Sequence, residues 1–348
     1  MIPKFTADPF LAATQGRRVR HTPVWFMRQA GRSLPEYRAV RGEGSILDAI
    51  KQPRLAADIT LQPVHRYGVD AAVLYSDIVV PAHAVGFGID VTPGTGPVTR
   101  QPFRHSSDLS RLRPLEPELD TPYVIETVRL LAAELDVPLL AFAGAPFTVA
   151  SYLVEGRPSR DYAHTRTLMT SDPTLWNALM QRLAEHAIAS IRSQLDAGAS
   201  AFQLFDSWAG ALTIDEYRQH VLEYSRHVFD EIRTSHPNAP GIHFGVGCDH
   251  LLEAMYAAGP NVIGLDWRSS IADVRVRLGA NTIVQGNLNP QLVLGTLDQA
   301  ILGTDAVLAD NAGHPGHIFN LGHGVQPSTN PEILTAVVRH VHEQTAVK

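Results

Sequence analysis

The 348-residue chain has one cysteine, Cys248, and three lysines, Lys4, Lys51 and Lys348. A single cysteine excludes an intrachain disulfide framework and any zinc site that needs two thiolates of one chain. It suits a reducing compartment, so a cytoplasmic location is expected. No lysine follows a predicted strand, which leaves no candidate for Schiff-base chemistry by a buried, activated amine. No apolar run approaches the ~18 residues of a membrane span. Met1–Phe10 has no basic segment followed by an apolar one, so no secretory signal is expected. There is no GxGxxG or Walker pattern to suggest a nucleotide. With 18% charged and 45% hydrophobic residues, the chain has enough apolar material for a large core and too little charge for disorder. A net charge of -6 gives nucleic acid no bulk attraction.

What positive charge there is comes from arginine. Its planar fork grips carboxylates and phosphates in pairs and keeps its charge, whereas lysine acts as a point charge. Arg17, Arg18, Arg20, Arg28, Arg32, Arg38 and Arg41 fall close together with Glu36 the one acid among them. Such a cluster is either a solvated basic face or an anion site.

Short apolar runs alternate with segments of helical period. Strands are predicted at Val24–Met27, Ala71–Tyr75, Leu139–Phe142, Ala201–Phe205, Gly241–Val246, Val262–Leu265, Thr282–Gln285 and Ile318–Asn320. Near-continuous apolar runs bounded by Gly, Pro or Asp are what parallel strands buried on both faces require. Helices are predicted over Pro53–Arg66, Pro122–Leu135, Pro173–Ala197, Ile214–Ser235, Asp249–Ala258, Ile271–Leu278 and Pro331–His342. Proline recurs early in them, where its missing N–H costs nothing. Eight such units predict an α/β fold, a single (β/α)8 barrel of TIM type, with a doubly wound sheet as the alternative. Val85–Phe103 breaks the rhythm and reads as a hairpin-like insertion after the second strand. No repeat or long linker interrupts the chain, so residues 1–348 are expected to form one catalytic domain.

Barrel chemistry gathers where strands end. Strand one runs into Met27-Arg28-Gln29-Ala30-Gly31-Arg32, and strand two into Tyr75-Ser76-Asp77-Ile78. Strand three leads to Gly144-Ala145-Pro146-Phe147, strand four to Asp206-Ser207-Trp208 and strand eight to Gly322-His323-Gly324. Arg28 and Arg32 can converge on an anion, or pair with Glu36, Asp48 or Asp77 and merely hold loops. Asp77 can accept N–H groups and stabilise a cation formed during reaction, or cap the helix that follows. Tyr152 and Ser207 offer hydroxyls, and His323 lies between two small residues as a carboxylate-binding or proton-handling group. A metal is not expected: His243 is followed by Gly245 rather than a cysteine, and Cys248 has no second thiol.

These blocks carry a resemblance. Pro23-Val24-Trp25-Phe26-Met27-Arg28-Gln29-Ala30-Gly31-Arg32, continuing through Leu34-Pro35-Glu36-Tyr37-Arg38, closely resembles the signature of the uroporphyrinogen decarboxylase family. Gly144-Ala145-Pro146-Phe147-Thr148 with Ala150-Ser151-Tyr152 resembles its second signature. Tyr75-Ser76-Asp77-Ile78, Phe205-Asp206-Ser207-Trp208-Ala209-Gly210, Gln285-Gly286-Asn287-Leu288 and Asn320-Leu321-Gly322-His323-Gly324-Val325 extend it over nearly the whole chain.

The resemblance implies a (β/α)8 barrel, a homodimer, and removal of CO2 from the four acetate side chains of uroporphyrinogen III without metal or cofactor. It implies that Arg28, Arg32, Arg41, Tyr152, Ser207 and His323 contact this small-molecule substrate, with Gln29, Ala30 and Gly31 of the first loop. Asp77 would hold the central pyrrole N–H groups, and Asp77 with Arg28 would be catalytic. Four positions depart from the family pattern: Ser33 in place of tyrosine, Ile46 of phenylalanine, Ala143 of cysteine and Asn289 of aspartate. None removes a charged residue named above. Two alternatives are a corrinoid-linked zinc methyltransferase on a related barrel and a tetrapyrrole carrier without turnover. The first needs a His-x-Cys pattern and a later cysteine, which this chain lacks; the second has no need of a central carboxylate.

Overall fold

Parallel strands joined through helices set the architecture of this protein, seen in a computed structural model that describes residues 8–42, 44–92 and 94–347. In chain order the strands are β1 (Ala72–Val73), the hairpin β2 (Ile89–Thr92) and β3 (Gly96–Thr99), then β4 (Leu139–Gly144), β5 (Ala201–Phe205), β6 (Gly241–Phe244), β7 (Val262–Gly264), β8 (Val284–Gln285) and β9 (His317–Ile318). All but β2 and β3 pair in parallel in the order β1-β4-β5-β6-β7-β8-β9. The predicted first strand supplies the eighth position. Val24 bridges Phe319 in parallel, Phe319 N–H donates to the Pro23 carbonyl at 2.8 Å, and Asp70 N–H donates to the Val24 carbonyl at 2.8 Å. The sheet thereby closes on itself as a (β/α)8 barrel.

The strands are shorter than the apolar runs that announced them. Each run continues into residues such as Leu74, Leu265 and Phe319, which are buried and still bond a neighbouring strand through the backbone N–H. The predicted helix Ile214–Ser235 is two helices, Ile214–His220 and Leu222–Ser235, which part at Val221. The long helices otherwise lie where expected; Pro173–Asp196, capped by the Asp172 carboxylate on Leu175 N–H, is the longest among the described residues. Helices Pro146–Glu155, Ala163–Ser171 and Leu297–Asn311 lie outside the predicted ones. Trp25, Phe26 and Phe319 are among the fully buried side chains at the closure.

The β2–β3 hairpin docks on the helix Pro146–Glu155. Thr99 N–H donates to the Gly156 carbonyl at 2.7 Å and Phe103 N–H to the Leu153 carbonyl at 2.8 Å. A Cβ at Gly156, where φ is +79°, would lie 2.5 Å from Pro102, so this contact requires glycine. At the opposite, N-terminal end of the barrel, Asp70 bridges two histidines: His21 Nε2 lies 2.8 Å from Oδ1 and His342 Nε2 lies 2.8 Å from Oδ2. Thr22 N–H also donates to Thr345 Oγ1 at 2.8 Å. The barrel's first strand and last helix are thus tied together. A cavity of about 550 Å³ lined by Leu11, Val137, Leu139 and Leu195 opens at this end too, away from the strand ends that carry Asp77 and His323.

Candidate active site

The first loop is built around a strained arginine. Arg28 has φ +60°, a region that L-residues enter at a cost. The neighbouring backbone is held on every side. Met27 N–H donates to Asn320 Oδ1 at 3.1 Å, and Val325 N–H to the Met27 carbonyl at 2.8 Å. Gln29 Oε1 accepts Phe26 N–H at 3.0 Å and its Nε2 donates to the Ala71 carbonyl at 3.1 Å. Gln29 is therefore fully buried with both ends of its amide engaged. Its side chain thereby shapes the loop that carries Arg28.

Arg28 charge reaches three other groups. It lowers the proton affinity of Asp77, Tyr152 and His323 alike. Asp77 follows β1, and its Oδ1 accepts Val79 N–H at 3.1 Å, so it also shapes the start of the next helix. Burial raises the Asp77 carboxyl above its usual range; the Val79 N–H and the Arg28 guanidinium oppose that rise. Burial, and then the negative charge of Asp77, hold the Tyr152 phenol well above its usual range, so it stays a hydroxyl donor. Its ring packs against Trp208 with centroids 3.9 Å apart. Ser207 adjoins that tryptophan and is half-buried.

His323 is held below its usual range, first by burial and then by Arg28. Its Nδ1 accepts Gly324 N–H at 2.8 Å, which leaves Nε2–H as a donor. The flanking glycines answer to packing. A Cβ at Gly324 would lie 2.6 Å from Arg28 Cδ, and one at Gly322 would lie 2.3 Å from Trp267 N.

Arg28 and Arg32 are exposed, and among the described residues neither joins an ion pair. The acids that might have claimed them are engaged elsewhere: Glu36 pairs with Arg66, and Asp48 completes a capping box with Ser45. Arg41 is different. Its guanidinium donates to the Gly42 and Gly44 carbonyls at 3.1 and 2.7 Å, and it lies beside the Tyr75 hydroxyl, itself 3.0 Å from Tyr37 Oη. Ala30 and Gly31 are half-buried turns of the same loop.

The strand-end rule, applied after β7, would also have found Asp266, Trp267 and Arg268. The Arg268 guanidinium stacks 3.9 Å from the Trp267 ring centroid and bonds Asp266 at 2.7 Å. Trp267 in turn faces His323 edge-on at 6.5 Å. His243 and Cys248, the residues a thiol-zinc chemistry would need, are buried behind the strand ends.

The geometry defines a class: a parallel (β/α)8 barrel whose C-terminal mouth holds one carboxylate among arginines and hydroxyl donors, suited to a small polyanion. Within that class, the chain belongs to the uroporphyrinogen decarboxylase family. Residues 5–344 match the family described as uroporphyrinogen decarboxylase (URO-D). A protein named uroporphyrinogen decarboxylase from Salinispora tropica is 51% identical over 340 residues, covering 97% of this chain and 91% of its own. One of the same name from Streptomyces coelicolor is 52% identical over 337 residues, covering 97% and 94%. Among solved structures, a methyltransferase from Methanosarcina mazei superposes with a TM-score of 0.78 over 99% of both chains at 18% identity, a likeness of fold. The family match does not favour the methyltransferase alternative. Among the described residues no helix is long and apolar enough to cross a membrane.

Proposed function

We propose that this chain removes CO2 from the four acetate side chains of uroporphyrinogen III, leaving methyl groups and giving coproporphyrinogen III. The observation that carries the reading is the electrostatic grouping of Asp77, Arg28, Tyr152 and His323 at one mouth of the barrel. Decarboxylation of a pyrrole acetate needs an electron sink. Protonation of the ring carbon supplies one as a cation, and the departing CO2 leaves its electron pair to that cation. A second proton then completes the methyl carbon as the first leaves the ring. In sum, each acetate exchanges CO2 for one proton.

Asp77 accepts the pyrrole N–H groups and stabilises the ring cation by charge. The N–H groups of the bound ring favour its ionised form, against the burial that raises it in the free protein. Arg28 orients the reacting acetate. A guanidinium holds its proton too tightly to be a ready donor, so water or another substrate carboxyl is the simpler source. Tight clamping of the reacting carboxylate would stabilise the ground state. Arg32, Arg41, Tyr152, Ser207 and His323 accordingly hold the carboxylates that are not reacting, with the Ala30–Gly31 backbone beside them. The protein works without metal or cofactor, as one catalytic domain over residues 1–348, as a homodimer, in the cytoplasm.

The test is an anaerobic incubation with uroporphyrinogen followed by mass analysis. Up to four successive losses of CO2 are expected. Stoichiometric binding with no lighter product would overturn the reading in favour of a carrier.

A further inference from the structure

Directly behind the Ser207–Trp208 loop lies a buried polar group that the reaction does not use. Asp206 and His243 are both fully inaccessible. Asp206 Oδ1 accepts the Thr148 hydroxyl at 2.8 Å. Its Oδ2 has no hydrogen-bond partner, nor has His243 Nε2, and these two atoms face each other at 3.8 Å. The other ring nitrogen, Nδ1, lies 3.2 Å from the Met255 carbonyl, so it carries a proton and donates. A neutral ring would then turn a bare Nε2 lone pair towards a bare carboxylate oxygen. Two buried acceptors cannot rest in that arrangement. One additional proton between them resolves it, on Nε2 or on Oδ2.

The pair is wired to the mouth of the barrel. Thr148 Oγ1, while donating to Asp206, accepts Trp208 N–H at 3.2 Å. Thr148 and Tyr152 stand one turn apart on the helix Pro146–Glu155. The Tyr152 ring rests on Trp208, which Tyr162 also meets at 5.0 Å. The backbone closes the same frame: Asp206 N–H donates to the Phe244 carbonyl at 2.7 Å and Ala145 N–H to the Phe205 carbonyl at 2.8 Å. A Cβ at Gly245 would lie 2.5 Å from Cys248 Sγ and 3.0 Å from the Asp206 carbonyl, so no slack remains on the far side. The other titratable groups facing Asp206 are the buried Tyr217 and Cys248, both kept neutral by burial and by its charge.

We propose that Asp206 is a positioning residue: sharing one buried proton with His243, it holds Thr148, and through it the Ser207–Trp208 loop and Tyr152, in place for the substrate's carboxylates. The role in turnover rests on the decarboxylase reading; the shared proton does not.

The shared proton is read without substrate. Nitrogen-15 NMR of the full-length wild type at pH 8 is expected to show His243 protonated at Nδ1, with Nε2 hydrogen-bonded to a proton it shares. In Asp206→Asn the amide donates to Nε2, and the ring becomes the plain neutral Nδ1–H form. A bare Nε2 in the wild type, or a ring signal that Asp206→Asn does not alter, overturns the shared proton. Kinetics test the positioning. Thr148→Val is expected to raise KM by about tenfold or more, the size of effect left by breaking a buried hydrogen bond, with kcat reduced less. Asp206→Asn, which keeps an oxygen for Thr148, is expected to recover most of what Asp206→Leu loses. An unchanged KM in Thr148→Val overturns the positioning role. A wild type that releases no CO2 would instead overturn the decarboxylase reading and leave the NMR result standing.

Discussion

The Asp70 clasp gives the most quantitative prediction. Asp70 is nearly buried, bonds His21 and His342 through separate oxygens and accepts Val24 N–H at 2.8 Å on Oδ2. Burial alone would raise its carboxyl; the two histidines and the Val24 N–H outweigh it and hold the group at about 2 against an ordinary 3.8. At about 1.4 kcal/mol per pH unit of proton affinity, that difference contributes about 2.5 kcal/mol to the folded state. The sign follows from the depression. The contribution is complete above pH 4, where the unfolded carboxyl is ionised, and it is lost as pH falls towards 2. Roughly half of it is gone by pH 3. Asp70→Asn should therefore destabilise the protein by about 2.5 kcal/mol at pH 7 and about half as much at pH 3. Urea unfolding of both proteins at several pH values, extrapolated to water, measures this. Asp8 is pushed up to about 6, chiefly by burial and in part by Asp70's charge. Its window, between pH 4 and 6, has the opposite sign: stability falls there as pH rises. Comparing wild type and variant below pH 4 keeps the two apart. Parallel losses of stability in the two proteins between pH 5 and 3 would refute the reasoning.

Three further outcomes are expected. Asp77→Ala should fold normally by circular dichroism and lose turnover by about 10³-fold or more, and because burial raises the Asp77 carboxyl, wild-type turnover should fail on acidification at a higher pH than an ordinary carboxylate would cause; a variant with near-normal activity rules out the cation-stabilising role. Gly324→Ala, whose Cβ would crowd Arg28 Cδ, should lower kcat/KM by about tenfold or more, a displacement cost of the kind a misplaced catalytic group incurs, while leaving the thermal midpoint within a few degrees. The apparent substrate affinity should weaken with added salt, since Arg28 and Arg32 are exposed and exposed charges are screened within about 8 Å at physiological ionic strength; an affinity that ignores salt means those arginines do not meet the substrate's carboxylates.

The barrel was legible because parallel strands buried on both faces leave continuous apolar runs, and because helices such as Pro53–Tyr67 open on proline. Strand limits were not, since Leu265 and Phe319 are as buried as the strand residues before them and still bond a neighbouring strand, so burial does not mark where a ladder ends. Composition could not tell that Val24 alone would bridge Phe319; that depends on how the two ends of the sheet meet. At the site, order along the chain announced Asp77 and His323, because each follows a strand, whereas Tyr152, inside the helix Pro146–Glu155, was marked by its hydroxyl and the second signature. A motif says which residues travel together and is silent on which way each faces. The Gln29 side chain, for one, turns inward to bind the backbone beside an arginine held at φ +60°. The Arg41 guanidinium rests on the Gly42 and Gly44 carbonyls, a placement that no motif announces. Asp266 and Arg268 also follow a strand, β7, and carry the same strand-end signal.

The arginine loop has a consequence for how the protein comes into being. Met27 is clasped by Asn320, a partner 293 residues further along, and by Val325. A growing polypeptide therefore displays its guanidinium groups long before the segment that disciplines them has left the ribosome. Only a finished ring can grip a porphyrinogen, so truncated or nicked fragments of this chain should be inert towards it rather than weakly active.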